Sequence, residues 1–121
     1  MNNKLSSNFV RLEGNIGSDI DFTSLPNEES TPVTNFSLAV NTSIKRNDDY
    51  VVETDWFDCS FLGEETQEFL KTSAAKGSRV MVYGRIKINH SIKDGTKRTF
   101  VNIQGTDVDV LSAKKDSLNE V

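Results

Sequence analysis

Residues 78–111 read SRVMVYGRIKINHSIKDGTKRTFVNIQGTDVDVL, in which apolar and polar side chains alternate on both sides of one Asp-Gly pair. Alternation with a period of two predicts β-strands, and the Asp-Gly pair is typical of a two-residue hairpin turn. On the return strand the alternation places Val101 and Ile103 inward, and Gly105 favours a bulge. The inward positions predicted on the first strand are Val80, Val82, Gly84, Ile86, Ile88 and His90. The stretch therefore predicts a long hairpin with one buried face.

Three segments upstream alternate in the same way, at residues 8–16, 33–44 and 51–62, and each predicts a further strand. Their predicted inward residues are Val10, Leu12, Gly14, Ile16, Phe36, Leu38, Val40, Phe57, Cys59 and Phe61. Because Phe57 faces inward, its neighbour Trp56 faces outward. Residues 19–32 contain four acids and two prolines without periodicity, which predicts a long polar loop.

One helix is predicted, over residues 64–76, because acids stand near its start and Lys76-Gly77 provides a stop. One face of this helix carries Phe69, Leu70, Ser73 and Ala74, which predicts that Phe69 lies in the core. Three strands, a helix and a hairpin predict an all-β fold. The expected architecture is a five-stranded Greek-key OB-fold barrel with the helix between strands three and four and the long hairpin between strands four and five.

The composition describes one soluble domain. The chain has 121 residues, of which 36% are hydrophobic and 26% charged, and it contains one cysteine. A single cysteine excludes an intramolecular disulfide framework and a multi-cysteine zinc site. The polar N-terminus predicts neither a signal peptide nor a membrane span, so we expect a cytoplasmic protein without a membrane partner. We expect a disordered arm at 1–7, the barrel domain at 8–111 and a flexible tail at 112–121.

The charge distribution is more informative than its total. The formal net charge is −4, which by itself speaks against a nucleic-acid-binding protein. Residues 76–102, however, hold seven bases and one acid, a net charge of +6, so the remainder carries −10. Clustered bases are typical of a surface that follows phosphates, and Lys45 and Arg46 could extend it. The alternative is an ordinary solvated hairpin.

Two aromatic residues are candidates for stacking on nucleic-acid bases. Trp56 is the only tryptophan and faces outward, and Phe100 alternates in phase with Arg98 and Asn102, opposite the inward Val101. A base stacked on an aromatic side chain contributes about 1–3 kcal/mol. Two alternatives remain open: Trp56 packs against a second subunit, or Phe100 joins a hydrophobic patch within the hairpin.

Six segments resemble, in order and spacing, the bacterial and phage single-stranded DNA-binding protein family. They are NFVRLEGNIG at 8–17, NFSLAVN at 35–41, ETDWF at 53–57, LG at 62–63, KGSRVMVYGR at 76–85 and DG at 94–95. The resemblance covers about residues 8–111. It implies an OB fold and non-sequence-specific binding and protection of single-stranded DNA in replication, recombination or repair. It also implies a homo-oligomer, with a tetramer favoured and a dimer possible.

The resemblance and the residue pattern together select the candidate site residues. In the family the tryptophan at the position of Trp56 stacks on bases, and the stretch around Met81 and Tyr83 makes subunit contacts. The candidate DNA-binding residues are Lys45, Arg46, Trp56, Leu62, Lys76, Arg85, Lys87, Lys93, Lys97, Arg98 and Phe100. The candidate oligomer interface consists of Phe9, Arg11, Met81 and Tyr83.

The chain departs from the family pattern in several places. Ile44, Leu62 and Ser91 stand where relatives often carry aromatic residues, and Asp58 and Glu64 stand where relatives often carry bases. These differences predict weaker binding or a smaller footprint. The sequence ends at LNEV without a glycine-rich linker and an acidic tail tipped with phenylalanine. We therefore expect no recruitment of replication enzymes by that route, which suits a phage, plasmid or specialised homologue.

Catalysis finds little support in the sequence. The one histidine, His90, falls on the inward phase, and Cys59 lies between two inward phenylalanines, so both are expected to be buried. No cofactor, no metal and no enzymatic activity are expected. Two other functions remain open: a replication-restart OB protein that acts mainly through protein contacts, and an OB interaction protein that has lost DNA binding.

Overall fold

The computed structural model describes residues 7–112, so the predicted terminal arm and tail lie almost entirely outside the described residues. Six strands and one helix follow one another along the chain: β1 (Val10–Ile16), β2 (Asp21–Ser24), β3 (Pro32–Arg46), β4 (Asp49–Leu62), α1 (Glu64–Ser73), β5 (Arg79–Lys93) and β6 (Thr96–Val110). In the described part of the chain no helix is long and apolar enough to cross a membrane.

Five of the strands close into a barrel. Their order is β1-β5-β6-β4-β3, and β1 closes the ring because it pairs with β5 over most of its length and with β3 at its end. This change of partner occurs beside Gly14, where a Cβ atom would overlap the carbonyl of Ala39. A residue with a side chain would therefore keep β3 away from β1. The predicted OB-fold barrel is confirmed.

The core fills the barrel with the inward residues of its strands. The largest fully buried side chains include Phe61, Ile16, Leu38 and Ile103, and α1 covers one end with Leu70. Phe61 stacks against the Phe36 ring with 5.8 Å between the ring centroids. On its other side Phe61 reaches the backbone of Gly105, where any Cβ would overlap its ring. Close packing at this glycine holds β6 against β4.

Residues 19–32 are not a loop throughout, as the sequence had indicated. Within them β2 pairs in antiparallel fashion with the start of β3, so that Phe22 lies directly opposite Thr34. Phe22 is partly buried and packs against the core. Four residues are too few for alternation to be distinguished from an irregular polar segment, so tertiary pairing decides this strand.

The helix is shorter and rotated relative to the prediction. It ends at Ser73, because Ala74 has an extended backbone. Gln67, Leu70 and Ala74 face the barrel, so Phe69 lies on the flank and is exposed, and its predicted core position is wrong. The Gln67 Nε2 donates to the carbonyls of Thr23 and Val33 at 3.1 Å each. A polar side chain, buried with its hydrogen bonds satisfied, therefore connects the helix to β2 and β3.

Two hairpin arms project beyond the barrel. The β3–β4 arm comprises residues 40–55, and the β5–β6 arm comprises residues 85–102. β4 and β6 pair in parallel at Cys59 and Ile103, so both arms leave the same end of the barrel. The Asp94-Gly95 pair has positive φ angles of 53° and 76°, which confirms the predicted tight turn. The predicted bulge is also present, because the register shifts where Tyr83 and Gly84 pair with Asp107 and Gly105.

The inward phase predicted along the β5–β6 arm does not lead to burial. Past Gly84 every residue of β5 is exposed, including Ile86, Ile88 and His90, and on β6 Val101 is exposed as well. The strands continue beyond the barrel, and no layer of the described chain covers their inner side. The predicted burial of these four residues is therefore wrong, although the predicted strands are present.

Candidate nucleic-acid interface

The outward face of β3, β4 and β6 forms one continuous surface. Cys59 and Ile103 are paired and both buried, so their neighbours Asp58, Ser60 and Asn102 face outward. The Gln104 Nε2 donates to the carbonyl of Ser60 at 3.3 Å, which ties the two strands together on this side. A groove of about 340 Å³ lies on this surface and is lined in part by Asp58, Ser60 and Asn102.

The two candidate stacking residues occupy equivalent positions on this surface. Trp56 stands three residues before Cys59, and Phe100 stands three residues before Ile103, so alternation places both on the outward side at a similar level. Their exposed fractions are 62% and 49%. The Trp56 ring lies against Gly17, since a Cβ at Gly17 would overlap the ring. The ring therefore rests on backbone and still offers a face to solvent.

The β5–β6 arm sorts its bases onto one face. Residues directly opposite one another in an antiparallel pair point to the same side. The relevant pairs are Arg85 with Gln104, Lys87 with Asn102, Asn89 with Phe100, Ser91 with Arg98 and Lys93 with Thr96. Four candidate bases therefore share the outward face with Phe100: Arg85, Lys87, Lys93 and Arg98. Lys97 lies opposite Ile92, on the other face of the arm.

The remaining candidate bases are separated from this cluster. Lys76 is exposed in the turn between α1 and β5, next to Gly77, which donates its backbone N–H to the Ile16 carbonyl at 2.8 Å. Arg46 faces the inner side of the β3–β4 arm, opposite Asp49, and forms a 2.7 Å ion pair with Glu53. Lys45 does share the outward face with Trp56.

An aromatic residue that the sequence interpretation missed lies on the β3–β4 arm. Tyr50 is directly opposite Lys45 and shares the phase of Trp56, so the two rings lie on the same outward face. Tyr50 is 71% exposed. Its place six residues before Trp56 was the signal available in the sequence. Leu62, six residues after Trp56, lies on the same face near the other end of β4 and is exposed.

Acidic side chains surround the groove. Asp19 and Asp21 line it from the segment that contains β2, and Asp58 lines it from β4. The Ser37 hydroxyl donates to Asp58 at 3.4 Å. Three carboxylates repel an anion that approaches this groove, and the expected effect of Asp58 on DNA binding stays a prediction. Asp19 and Asp21 escaped the sequence interpretation because it treated their segment as a loop without a place in the fold.

The candidate oligomer residues lie on the outer face of β1 and β5, where Tyr83 stands two residues before Arg85 on the same side of the strand. Arg11 stands opposite Tyr83, and its Nη1 lies 3.5 Å from the Met81 sulfur. The Tyr83 hydroxyl donates to Asp109 at 3.2 Å, and partial desolvation together with this bond raises its pKa. Phe9 precedes β1 and is exposed. Arg11, Met81 and Tyr83 therefore adjoin one another, and the role of the four candidate residues in assembly stays a prediction.

The two residues considered for reactivity differ in their surroundings. His90 is exposed, and its Nδ1 lies 3.3 Å from the Thr99 hydroxyl, so its predicted core position is wrong. Cys59 is buried as predicted, and desolvation raises the pKa of its thiol to about 12. The thiol is therefore protonated at neutral pH and a poor nucleophile. Among residues 7–112 no three His, Cys, Asp or Glu side chains are grouped to hold a metal ion.

Comparison with solved structures gives the same architecture. A structure of a single-stranded DNA-binding protein from Plasmodium falciparum in complex with single-stranded DNA superimposes with a TM-score of 0.78 at 23% identity, covering 91% of this chain and 99% of that one. A small single-stranded DNA-binding protein from Streptomyces coelicolor gives a TM-score of 0.70 at 22% identity, covering 88% and 95%. At this level of identity the likeness establishes the fold.

Sequence comparison finds relatives that are named single-stranded DNA-binding proteins. The Treponema pallidum protein is 32% identical over 78 residues, which are 64% of this chain and 44% of that protein. The Borreliella burgdorferi protein is 29% identical over 93 residues, or 75% and 62%. The Aquifex aeolicus protein is 31% identical over 109 residues, or 89% and 72%. The chain thus spans less than two thirds of the first two relatives.

The single-strand binding protein family model matches residues 7–111. This range contains all six strands and the helix, and therefore the whole barrel and both arms. The resemblance expected from the six sequence segments is confirmed. The chain belongs to the single-strand binding protein family.

Proposed function

We propose that the protein binds single-stranded DNA without sequence preference, on the outward face of β3, β4 and β6 and of the two arms. The observation that carries this proposal is the placement of Trp56 and Phe100 on one surface, with four bases beside Phe100. Family membership and the DNA-bound relative from Plasmodium falciparum support it. Every base has an aromatic face, so stacking of this kind tolerates any sequence.

In this proposal aromatic side chains bind the nucleobases and cationic side chains bind the phosphates. Bases stack on Trp56 and Phe100, and the phosphates between them contact the cations of the β5–β6 arm, including Lys87 and Arg98. Each neutralised phosphate releases counterions, so affinity should fall as salt rises. The bound strand is thereby protected during replication, recombination or repair, and no step requires a bond to be broken.

Assembly into a homo-oligomer belongs to the same proposal. Arg11, Met81 and Tyr83 lie on the outer face of β1 and β5, with β6 between them and the strand β4 that holds Trp56. This face already contains the 2.9 Å ion pair between Arg79 and Glu13, so subunits that meet there bury charges with their partners present. A tetramer or dimer built this way keeps Trp56 and Phe100 accessible.

The decisive experiment is a titration with oligothymidine while the fluorescence of Trp56 is recorded at several salt concentrations. Stacking should quench this emission, and because the chain has one tryptophan the signal reports on that position alone. The logarithm of affinity should fall by about 0.7 per phosphate contact for each tenfold increase in salt. Absence of binding at low salt, measured independently by fluorescence anisotropy of labelled DNA, would overturn the proposal.

A second candidate function is favoured by the acidic groove. Asp19, Asp21 and Asp58 line the middle of the outward face, where a tightly held DNA strand would meet repulsion. An OB protein that binds DNA weakly, or not at all, and acts through protein contacts would accommodate these acids. Replacing Trp56 or Phe100 by Ala separates the two. The DNA coat requires a large loss of affinity from each change, whereas a protein-contact function predicts little change.

A further inference from the structure

The β5–β6 arm has an exposed apolar face opposite its basic face. Ile88 lies directly across from Val101, and Ile92 across from Lys97, on the side that continues the inward phase of the barrel. Ile88 is 53% exposed, and Val101 and Ile92 are more exposed still. A two-stranded arm with apolar side chains in water on one face is typical of a surface that another protein segment covers.

The β3–β4 arm has a corresponding inner face with the opposite charge. Ile44 and Val51 form a cross-strand pair there, and Val51 is 41% exposed. Three acids share this face: Asp49, Glu53 and Asp55, while Arg46 is the one base on it. The inner face of the β5–β6 arm carries no acid, and its one lysine is Lys97. The two inner faces are therefore both apolar at the centre and complementary in charge.

The charges of the complete arms point the same way. Residues 85–102 hold five bases and one acid, for a net charge of +4, whereas residues 40–55 hold two bases and four acids, for a net charge of −2. Two copies of the basic arm would repel each other, as would two copies of the acidic arm. Attraction favours a basic arm against an acidic arm. Within one chain both inner faces remain exposed, so the two arms of the same chain do not cover each other.

We propose that the inner face of the β5–β6 arm of one copy docks on the inner face of the β3–β4 arm of a second copy. Such a contact is head-to-tail: one copy keeps its acidic arm free, the other keeps its basic arm free, and the association can continue. The outward faces, which hold Trp56 and Phe100, take no part in it. The protein can therefore associate side by side while its proposed DNA surface stays open.

The contact is small, and we expect it to be weak in free solution. It unites a few aliphatic side chains and a few charges, well below the area of a standard stable interface. Sedimentation velocity of the DNA-free protein up to about 1 mM should reveal it as association beyond a dimer or tetramer, which increases with concentration and weakens with added salt. Sedimentation that does not change with concentration over this range would overturn the proposal.

Two variants test which faces meet. Ile88→Asp places a carboxylate in the apolar face of the basic arm, and Val51→Asp does so in the acidic arm. Each change should weaken self-association by about tenfold or more. Because the contact is head-to-tail, a mixture of the two variants should regain association, since each supplies the arm that the other lacks. Undiminished association of Val51→Asp alone would overturn the pairing, because it would mean that the acidic arm takes no part in the contact.

The matched control is Asn89→Asp, which adds the same charge one residue along the arm but on its outward face. This variant should associate as the unaltered protein does. An equal loss in Asn89→Asp and Ile88→Asp would overturn the assignment to the inner face. All of these measurements omit DNA, so their outcome is independent of whether the protein binds single strands.

Discussion

The strands β3, β4, β5 and β6 run through both the barrel and the arms, and their side chains are buried differently in the two regions. In the barrel, alternation produces one buried and one exposed face, and Phe61 and Ile103 disappear from solvent. In the arms the alternation continues without interruption, yet Ile88 and Val101 remain exposed. The difference teaches that a period of two specifies a strand, whereas burial also requires an opposing layer. It also leaves each arm with two free faces, which can serve two separate binding functions.

The largest expected difference between the two regions is in stability. Phe61→Ala removes a ring from the barrel core and should lower the free energy of unfolding by about 3–5 kcal/mol. Ile88→Thr changes a residue of the inward phase in the β5–β6 arm and keeps a β-branched side chain. It should change the free energy of unfolding by less than about 0.5 kcal/mol. Chemical denaturation of dilute protein measures both. A large loss in Ile88→Thr would mean that the arm's inner face is packed within the monomer.

The next prediction compares DNA binding by the outward face, which holds Trp56 and Phe100, with binding by the inner face of the β5–β6 arm. Trp56→Ala and Phe100→Ala should each weaken binding to oligothymidine by about 1–3 kcal/mol, because each removes one stacking surface. Val101→Ala is the control, since it adjoins Phe100 but lies on the other face. Anisotropy of labelled DNA provides the affinities. Equal losses in Val101→Ala and Phe100→Ala would contradict the outward assignment.

Removing one lysine from the β5–β6 arm should change the free energy of DNA binding less than removing an aromatic ring. The change should be clear in how the affinity depends on salt. Lys87→Gln removes a base that shares the face of Phe100, and it should reduce the slope of log affinity against log salt by about 0.7. Lys97→Gln removes the same charge from the opposite face, and the slope should not change. Affinities at four or more salt concentrations decide this. Identical slopes for both variants would show that the arm acts only through its total charge.

Tyr50 tests whether the β3–β4 arm extends the stacking surface beyond Trp56. Tyr50→Ala should weaken binding of a long oligothymidine by about 1 kcal/mol, and Tyr50→Phe should restore it because the ring is what stacks. An oligothymidine too short to reach the tip of the arm should bind both variants and the unaltered protein equally. Equal affinity of Tyr50→Ala and unaltered protein for the long strand would remove Tyr50 from the site.

The smallest expected effect is an increase in DNA affinity. Asp58→Asn removes one carboxylate from the groove and should raise DNA affinity by up to about fivefold at low salt, with the advantage declining as salt increases. Glu28→Gln makes the same change of net charge in an exposed loop and should have a lesser effect. If Asp58→Asn leaves affinity unchanged, the DNA does not pass close to the groove.

Local sequence was sufficient for the five barrel strands, the Asp94-Gly95 turn and the outward side of Trp56, because each depends on neighbours along the chain. It failed at β2, whose four residues are strand only because β3 lies beside them. It failed again at Phe69, because the barrel meets the helix along Gln67, Leu70 and Ala74. The alternation also could not distinguish His90, in an arm, from Val82, in the core. These errors share one cause, the absence of information about which distant segment covers a face.

The candidate site shows the same division. Lys87, Lys97 and Arg98 are equivalent as members of a basic segment, and the sequence by itself determined that this segment is basic within an acidic chain. Only the tertiary structure decided that Lys87 and Arg98 share a face with Phe100 while Lys97 lies with the isoleucines. Only strand pairing brought Phe100 level with Trp56, and brought Asp19 and Asp21 to the groove. The physical reason is that strand formation and charge clustering are local properties of the chain, whereas the composition of a surface depends on hydrogen-bonded pairing between residues far apart in sequence.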